Sequence, residues 1–351
     1  MSQPLTDRMH AAGHEQVIFH QDEASGLRAI VAIHSSLLGP ALGGTRWYPY
    51  ADEEAALDDV LRLSAAMTSK AAVAGVPLGG GKAVVLGDPT TKTEAQLLAY
   101  AALIEGLGGR YVTTTDVGTT TDEIDFLSDH TRYVVGTSAA KGGSGDTAVV
   151  TGLTVTNGLR ASLQFAYGDQ SLEGRHVVVV GAGKVGARVA RYASQQGARV
   201  SLADVREQAV RALAVELGAT VVDPETAYEL ECDVLSPNAL GGVLSSDSIE
   251  RLRCRIVCGG ANNQLARDPE DADHLFRRGI VYAPDYVVNA GGVIGVTVEL
   301  DGDDAARTAA LAAGVYETTL GLLQTSEREG ISTAHAAQRL VQERLAAAKS
   351  S

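Results

Sequence analysis

The chain has 351 residues, of which 45% are hydrophobic and 21% charged, and its formal net charge is −14. This composition is typical of a globular protein that is long enough for two domains with separate cores. The negative charge argues against nucleic acid as a partner, because no basic surface is available to displace counterions from phosphate. We expect no membrane partner either, since no apolar stretch is long enough to cross a bilayer.

The N-terminal segment and the cysteines both bear on the compartment. Met1–Arg8 lacks a basic segment followed by an apolar one, so no signal peptide is predicted and we expect a cytoplasmic protein. Cys232, Cys254 and Cys258 lie in or beside apolar runs, without the second pair or the histidines that a zinc site needs. We therefore predict buried free thiols and no metal, which suits a reducing compartment.

Strand and helix patterns follow each other over the first 130 residues. The segments predicted as strands are 15–19, 27–34, 46–48, 83–86 and 110–115. The segments predicted as helices are 52–74 and 97–107. The glycine-rich run Leu38–Thr45 is predicted to be a link between elements, and Thr121 or Asp122 is predicted to cap a further helix.

Two lysines frame a second glycine-rich block, Met67–Lys82. Lys70 lies in the helix pattern, and Lys82 follows three consecutive glycines at 79–81. A glycine triplet indicates that something approaches the backbone closely. A lysine beside such a gap can bind an anion or, when desolvated, act as an acid–base group. The alternative is a glycine turn before the strand Ala83–Leu86, with a solvated lysine at its mouth, and the block alone does not decide between the two.

The second half of the chain alternates strands and helices. The predicted strands are 176–180, 199–203, 221–222, 234–235, 256–258 and 280–283. The predicted helices are 148–167, 226–230, one after Ser245, 304–326 and 333–348. This alternation is typical of a doubly wound parallel sheet. We therefore predict an α/β chain with domains 1–147 and 148–329, the last helical segment, 330–351, packing back on the first domain.

Gly181, Gly183 and Gly186 form a G-x-G-x-x-G motif after one predicted strand, and Asp204 ends the next strand. This context is that of a dinucleotide-binding fingerprint, in which the glycines allow a tight turn, close approach of a pyrophosphate and close helix packing. Asp204 would bind the adenosine ribose and repel a 2′-phosphate. NAD is therefore favoured over NADP, although Arg206 keeps NADP open. The alternative is a nucleotide-free α/β unit whose glycines serve packing.

In this order, the motifs resemble the amino-acid dehydrogenase family, which comprises glutamate, leucine, valine, phenylalanine and tryptophan dehydrogenases. The leucine and valine branch is the most similar, and the resemblance extends from Gly13 to about Arg344. The segments that carry it are Gly39–Arg46, Leu78–Ala83, Thr115–Thr119, Ala239–Gly242, Ala261–Leu265 and Tyr282–Gly292.

The resemblance implies an N-terminal α/β substrate and oligomerisation domain, a Rossmann-type NAD-binding domain and an active site in the cleft between them. It further implies a homo-oligomer that catalyses the reversible, NAD-dependent oxidative deamination of a branched-chain aliphatic L-amino acid to the 2-oxo acid and ammonia.

Roles for individual residues also follow from the resemblance. Lys82 would be the catalytic lysine, Asp116 the proton carrier and Lys70 the group that binds the substrate α-carboxylate. Asn262 would contact the nicotinamide ribose or the substrate amine, and Asn289 the carboxylate. The other residues expected at the substrate are Gly43 and Gly44 and, around its side chain, Leu38, Thr114, Val293 and Val296. The residues expected at the coenzyme are Gly181, Ala182, Gly183, Lys184, Val185, Gly186, Asp204, Val205, Asn238, Ala261, Asn262 and, at its carboxamide, Thr151.

These roles match the needs of the reaction. Hydride transfer from Cα leaves an iminium that water attacks, which requires a cation for the carboxylate, a base for the water and a proton carrier for the nitrogen. Lys82 fits the base if burial and the positive charge of Lys70 lower its pKa. Taken alone, Asp116 would be interpreted as a turn cap.

The substrate and the reaction class leave alternatives. No pocket residue is cationic, so a second carboxylate would be unpaired and glutamate is disfavoured. Thr114, Gly295 and Asn238, which stands where the branch has cysteine, depart from the pattern and could shift the preference to phenylalanine or tryptophan. A nucleotide-sensing homologue without turnover would lack Lys82 or Asp116. A 2-hydroxy-acid dehydrogenase would need a histidine–carboxylate pair, and none of the eight histidines lies in a glycine-rich motif.

Overall fold

The computed structural model describes residues 4–143, 146–300, 302 and 305–350. The chain forms two compact units. Unit 1 comprises 1–145, 295–303 and 341–351, and unit 2 comprises 146–294 and 304–340. The domain borders expected from the sequence stay predictions.

Unit 1 contains a five-stranded mixed sheet. Its strands are β1 (Gln16–Asp22), β2 (Leu27–Ser35), β3 (Ala41–Tyr48), β4 (Gly79–Leu86) and β5 (Tyr111–Thr115). They lie in the order β1-β2-β4-β3-β5, in which β3 pairs in parallel with β4 and β5, while β2 is antiparallel to β1 and β4. The helices of this part of the chain are α1 (Leu5–Ala12), α2 (Glu53–Ala74), α3 (Glu94–Gly106) and α4 (Thr121–Ser128).

The sheet of unit 1 is buried on both faces. Val60 of α2 packs with Ile30 and Val84 on one face, whereas Ile104 of α3 and Ile124 of α4 belong to the core on the other. Strands covered on both sides carry few polar side chains. The polar groups that these strands do carry are therefore informative.

Two glycine-rich segments lie within strands. The predicted link Leu38–Thr45 contributes most of β3, and the glycines at 79–81, for which a turn is one of the two interpretations left open by the sequence, lie inside β4. A Cβ atom on Gly80 would lie 2.1 Å from the backbone nitrogen of Thr68, and one on Gly81 would lie 2.7 Å from the ring of Tyr111. The prediction of a link was wrong because glycine shows no alternation of side chains. In β4 the absence of side chains lets α2 and a tyrosine ring pack directly on the strand.

The ends of the helices follow from their capping residues. Asp52 caps α2 by accepting a hydrogen bond from the amide of Ala55 at 2.8 Å, and Gly75 ends the helix in the left-handed conformation at φ 68°. For α4 the cap is Thr120 rather than Thr121 or Asp122, because its hydroxyl and the Glu123 side chain form a reciprocal capping box.

Unit 2 contains an entirely parallel six-stranded sheet. Its strands are β6 (His176–Val180), β7 (Arg199–Ala203), β8 (Thr220–Val221), β9 (Cys232–Pro237), β10 (Cys254–Val257) and β11 (Val281–Tyr282). The spatial order is β11-β10-β9-β6-β7-β8. From β6 the chain adds strands to one edge of the sheet, and from β9 it adds them to the other. This is the doubly wound dinucleotide-binding topology, which confirms the predicted fold class.

The remaining helices belong to the second half of the chain. They are α5 (Ala148–Tyr167), α6 (Lys184–Gln195), α7 (Glu207–Leu217), α8 (Ser246–Arg251), α9 (Glu270–Arg277), α10 (Asp285–Val288), α11 (Gly291–Leu300), α12 (Ala305–Glu329) and α13 (Thr333–Lys349). The helix predicted at 226–230 is only a 3₁₀ turn at Ala227–Glu229. The three cysteines are buried free thiols, as predicted. Within the described ranges, no helix is both long and apolar enough to cross a membrane.

Candidate active site

The predicted catalytic pair is in direct contact within unit 1. Lys82 lies on β4 with 6% of its surface exposed, and its Nζ donates a hydrogen bond to Oδ2 of Asp116, just after β5. Burial lowers the pKa of Lys82, and Asp116 offsets only part of this effect. For Asp116, burial raises the pKa but Lys82 and Arg46 outweigh it, so the pKa is lowered. The pair therefore consists of a stable carboxylate and a lysine that gives up its proton more readily than a solvated one.

Sequence reasoning missed a third charged residue at this pair, Arg46 of β3. Its Nε lies 3.3 Å from Oδ2 of Asp116, and its Nη1 donates to Oδ2 of Asp59 at 2.7 Å. Tyr50 donates to the same Asp59 oxygen at 2.7 Å. Arg46 lowers the pKa of Lys82 further and helps to keep Asp116 ionised. The sequence signal that could have identified Arg46 is that it is the single charged residue of β3.

The loop after β5 fixes the position of Asp116. The amide of Asp116 donates to Oγ1 of Thr119 at 2.8 Å, and that hydroxyl donates to the carbonyl of Thr45 at 2.9 Å. The amide of Trp47 donates to the carbonyl of Val117 at 2.9 Å. Gly118 has φ +80°, and a Cβ there would lie 1.9 Å from the Trp47 carbonyl oxygen. The carboxylate is thus oriented by backbone contacts with β3.

Gly43 and Gly44 serve packing beside the pair. A Cβ on Gly43 would lie 1.8 Å from the carbonyl oxygen of Gly81, and one on Gly44 would lie 2.8 Å from Cβ of Asp116. The hydroxyl of Tyr111 donates to the Gly43 carbonyl at 2.6 Å. These contacts explain the glycines without a substrate, and the predicted substrate contacts stay predictions.

The other predicted substrate residues of unit 1 are spread over several elements. Lys70 is half-buried on α2, and Leu38 is half-buried before β3. Thr114 of β5 and Val296 of α11 are brought together, because a Cβ on Gly136 would lie 2.5 Å from Oγ1 of Thr114 and 4.0 Å from Cγ1 of Val296.

The fingerprint glycines of unit 2 have the geometry that a dinucleotide needs. Gly181 has φ +97° at the end of β6, and a Cβ on Gly186 would lie 1.8 Å from the Gly181 carbonyl oxygen. Gly183 is the N-cap residue of α6 and brings no side chain to its first turn. A pyrophosphate can therefore approach the amides of that turn, and the residues present fit the group.

Asp204 follows β7 beside this turn. Its Oδ2 accepts a hydrogen bond from the amide of Ala182 at 2.7 Å. Arg206 donates to both carboxylate oxygens, from Nη2 to Oδ2 at 2.9 Å and from Nε to Oδ1 at 3.1 Å. The hydrogen bond from Arg206 lowers the pKa of Asp204 to about 2. The carboxylate is therefore anionic at neutral pH. Lys184 and Val205, which were also predicted at the coenzyme, are exposed.

Asn238 bridges the ends of two strands of unit 2. Its Nδ2 donates to the carbonyl of Ser236 at 2.8 Å, and its Oδ1 accepts from the amide of Gly260 at 2.9 Å. The amide of Ala261 donates to the Pro237 carbonyl at 3.0 Å. A cysteine, which the branch pattern has at 238, lacks the separate strong donor and acceptor for this bridge.

The backbone at Gly260 also lies beside Asn289, which contacts Asn262, the other asparagine that is predicted to bind the substrate. Nδ2 of Asn289 donates to Oδ1 of Asn262 at 2.9 Å and lies 3.4 Å from the Gly260 carbonyl. Asn289 is 4% exposed, and its Oδ1 makes no hydrogen bond with any described residue. A buried acceptor of this kind is suited to a ligand donor. Thr151 of α5 packs its backbone against Gly291, where a Cβ would lie 2.4 Å away.

Family models match most of the chain. The model of the Glu/Leu/Phe/Val dehydrogenase dimerisation domain matches residues 14–133, and that of Glutamate/Leucine/Phenylalanine/Valine dehydrogenase matches 201–350. The NAD-binding domain of D-isomer specific 2-hydroxyacid dehydrogenases matches 154–240, the stretch that carries the fingerprint.

Individual relatives match over nearly their whole length. The chain is 48% identical to a valine dehydrogenase of Streptomyces virginiae, over 96% of this chain and 95% of the relative. It is 45% identical to a leucine dehydrogenase of Bacillus subtilis (strain 168), over 96% and 93%. Among solved structures, L-tryptophan dehydrogenase from Nostoc punctiforme is similar with a TM-score of 0.91 and 38% identity, covering 99% of this chain and 100% of the other.

Proposed function

Because the chain belongs to the Glu/Leu/Phe/Val dehydrogenase family, we propose that it catalyses the reversible, NAD-dependent oxidative deamination of a branched-chain aliphatic L-amino acid. The products are the 2-oxo acid and ammonia. The observation that carries the chemistry is the buried contact between Lys82 and Asp116, in which the lysine has a lowered pKa. A nucleotide-sensing protein without turnover would have no use for this pair.

The side chains divide the chemistry between them. Bound nicotinamide would supply the acceptor for the hydride that leaves Cα. Lys70 pairs with the substrate α-carboxylate. Lys82, as the free amine, takes a proton from the water that attacks the iminium carbon, and Asp116 carries protons to and from the departing nitrogen. Arg46 keeps Asp116 ionised between turnovers, which its 3.3 Å contact supports.

The coenzyme assignment to NAD rests on Asp204. Its carboxylate lies just after β7, where it accepts a hydrogen bond from the amide of Ala182 and would accept hydrogen bonds from the ribose hydroxyls. A 2′-phosphate would meet this anion, and the guanidinium of Arg206 is already engaged by the same carboxylate. We expect NAD to be reduced much faster than NADP under the same conditions, and equal rates would reject the assignment.

The substrate assignment rests on the similarity to valine and leucine dehydrogenases at 48% and 45% identity. Within unit 1, the converging Thr114 and Val296 offer no cation for a second carboxylate. An aromatic L-amino acid is the alternative, which the likeness to L-tryptophan dehydrogenase favours. The chain would also self-associate, since its residues 14–133 match a family model described as a dimerisation domain.

Replacing Lys82 with alanine tests the catalytic role. We expect turnover to fall by about 10²–10⁴-fold, the usual contribution of general acid–base catalysis. NADH binding, measured by fluorescence titration, should stay nearly unchanged, because the fingerprint lies in unit 2. Lys141→Ala is the control, since Lys141 pairs with Asp129 on the surface. Retained turnover in Lys82→Ala would reject the role.

A further inference from the structure

Glu299, in the last turn of α11, is bound to a backbone segment far away in the sequence. Its Oε1 and Oε2 accept hydrogen bonds from the amide of Gly136 at 3.0 and 3.1 Å. Its Oε1 also accepts from the amide and the hydroxyl of Thr137, at 3.3 and 3.0 Å. All three residues belong to unit 1. A carboxylate that receives several donors in this way is firmly held.

The segment that Glu299 binds runs along β5. The amide of Thr113 donates to the carbonyl of Tyr133 at 3.0 Å, and the amide of Val135 donates to the carbonyl of Thr113 at 2.9 Å. The next two amides, at Gly136 and Thr137, go to Glu299. Backbone amides in the interior of a protein need hydrogen-bond acceptors. Strand β5 supplies the acceptor for the amide of Val135, and the carboxylate of Glu299 supplies the acceptors for the amides of Gly136 and Thr137.

Gly136 lies beside two predicted substrate residues. Its φ of +79° favours glycine, and a Cβ there would lie 2.5 Å from Oγ1 of Thr114 and 4.0 Å from Cγ1 of Val296. The backbone at Gly136 therefore contacts the Thr114 side chain and lies beside Val296. A displacement of this backbone would therefore change the space beside both side chains.

Val296 and Glu299 are three residues apart on α11, so they lie on the same face of the helix. A bond that holds Glu299 therefore also holds the turn that carries Val296. We propose that Glu299 is a positioning residue that sets the size of the substrate side-chain subsite, by tying the Val296 turn of α11 to the backbone beside Thr114. This inference rests on the proposed function, because Thr114 and Val296 line a subsite only if the substrate is an L-amino acid.

The test compares Glu299→Ala and Glu299→Gln with wild type on L-valine, L-leucine and L-phenylalanine. With Glu299→Ala we expect the KM for L-valine to rise at least tenfold and the ratio of kcat/KM between L-valine and L-phenylalanine to change by at least tenfold. The KM for NAD should not change. Glu299→Gln keeps one carbonyl oxygen for the amides and should restore part of the ratio.

The matched control is Glu105→Gln. Glu105 accepts from the hydroxyl of Thr131 at 2.8 Å, so it holds the same segment five residues before Gly136. Its variant should keep the wild-type ratio among the three substrates. Equal losses of kcat/KM for all three substrates in the Glu299 variants would overturn this inference but leave the proposed function intact. Absence of turnover with every L-amino acid in the wild type would instead reject the proposed function, and the inference with it.

A second measurement covers the case in which Glu299→Ala does not fold. Thr114→Ala, alone and combined with Glu299→Gln, forms a double-mutant cycle on the same substrate ratio. We expect the two effects to be non-additive, since both residues act on the backbone of Gly136. Strictly additive effects would contradict the proposed coupling.

Discussion

Replacing Asp116 with asparagine removes the counter-ion of a buried lysine while nearly preserving shape. Oδ2 of Asp116 contacts Nζ of Lys82 and lies 3.3 Å from Nε of Arg46. Arg46 keeps its 2.7 Å bond to Asp59, whereas Lys82 loses the partner that offsets its burial. Removing one partner of a buried ion pair costs about 3–5 kcal/mol. We expect the free energy of unfolding of Asp116→Asn to fall by about this amount at pH 7.

The loss should depend on pH with a definite sign. The pKa of Lys82 is already below its ordinary value of 10.5, and it falls further in the variant because Asp116 no longer raises it. Between the folded-state pKa and the unfolded value, the unfolded chain binds more protons, so the free energy of unfolding rises with pH. This window opens at a lower pH in the variant than in the wild type. The difference between them therefore shrinks as the pH is raised from 7 towards 10.

Urea denaturation at several pH values measures this difference. Trp47 is the single tryptophan, it is 2% exposed and it lies on β3, so its fluorescence reports on unit 1. Asp129→Asn is the control, because its ion pair with Lys141 is exposed and such pairs contribute about 0–1 kcal/mol. A difference between Asp116→Asn and wild type that stays constant from pH 7 to 10 would refute the reasoning. Turnover of Asp116→Asn should also fall by about 10²–10⁴-fold.

One further substitution in each unit tests a contact that the structure shows, the first through stability and the second through NADH binding. Gly81→Ala places a Cβ 2.7 Å from the ring of Tyr111, and we expect it to lower the free energy of unfolding by about 1–3 kcal/mol in urea denaturation; unchanged stability would show that the ring can move aside. Asn238→Ala removes the bridge between the Ser236 carbonyl and the Gly260 amide, each bond being worth about 0.5–1.5 kcal/mol. We expect its Kd for NADH to rise about tenfold in a fluorescence titration, and an unchanged Kd would contradict a role in shaping the coenzyme site.

Elements with a clear side-chain pattern could be predicted from the sequence. Helix α5 lies at the predicted 148–167, because its apolar residues recur at helical spacing and glycines flank it. The parallel sheet of unit 2 followed from alternating strand and helix patterns, and the Rossmann topology from the fingerprint. The resemblance assigns Lys82 and Asp116 to one reaction, and the structure shows the direct contact between them, which no sequence pattern contains.

Contacts between distant segments could not be predicted. The glycines of β3 and β4 show their reason only once α2 and Tyr111 are packed on them. The role of Arg46 becomes visible only through its two carboxylate partners, Asp59 and Asp116, which lie 13 and 70 residues away in the sequence. Glu299 shows the same limit, because its partners at 136 and 137 lie more than 160 residues earlier. A sequence pattern reports the local preference of a segment, whereas these functions depend on which segments meet.

Assaying NADH formation by the purified wild-type protein with NAD and a panel of L-amino acids tests the central claim most directly. We predict the highest kcat/KM with a branched-chain aliphatic substrate, low activity with L-glutamate, and one ammonia released for each NADH formed. Absence of NADH formation with every L-amino acid, or a preference for L-glutamate, would contradict the claim.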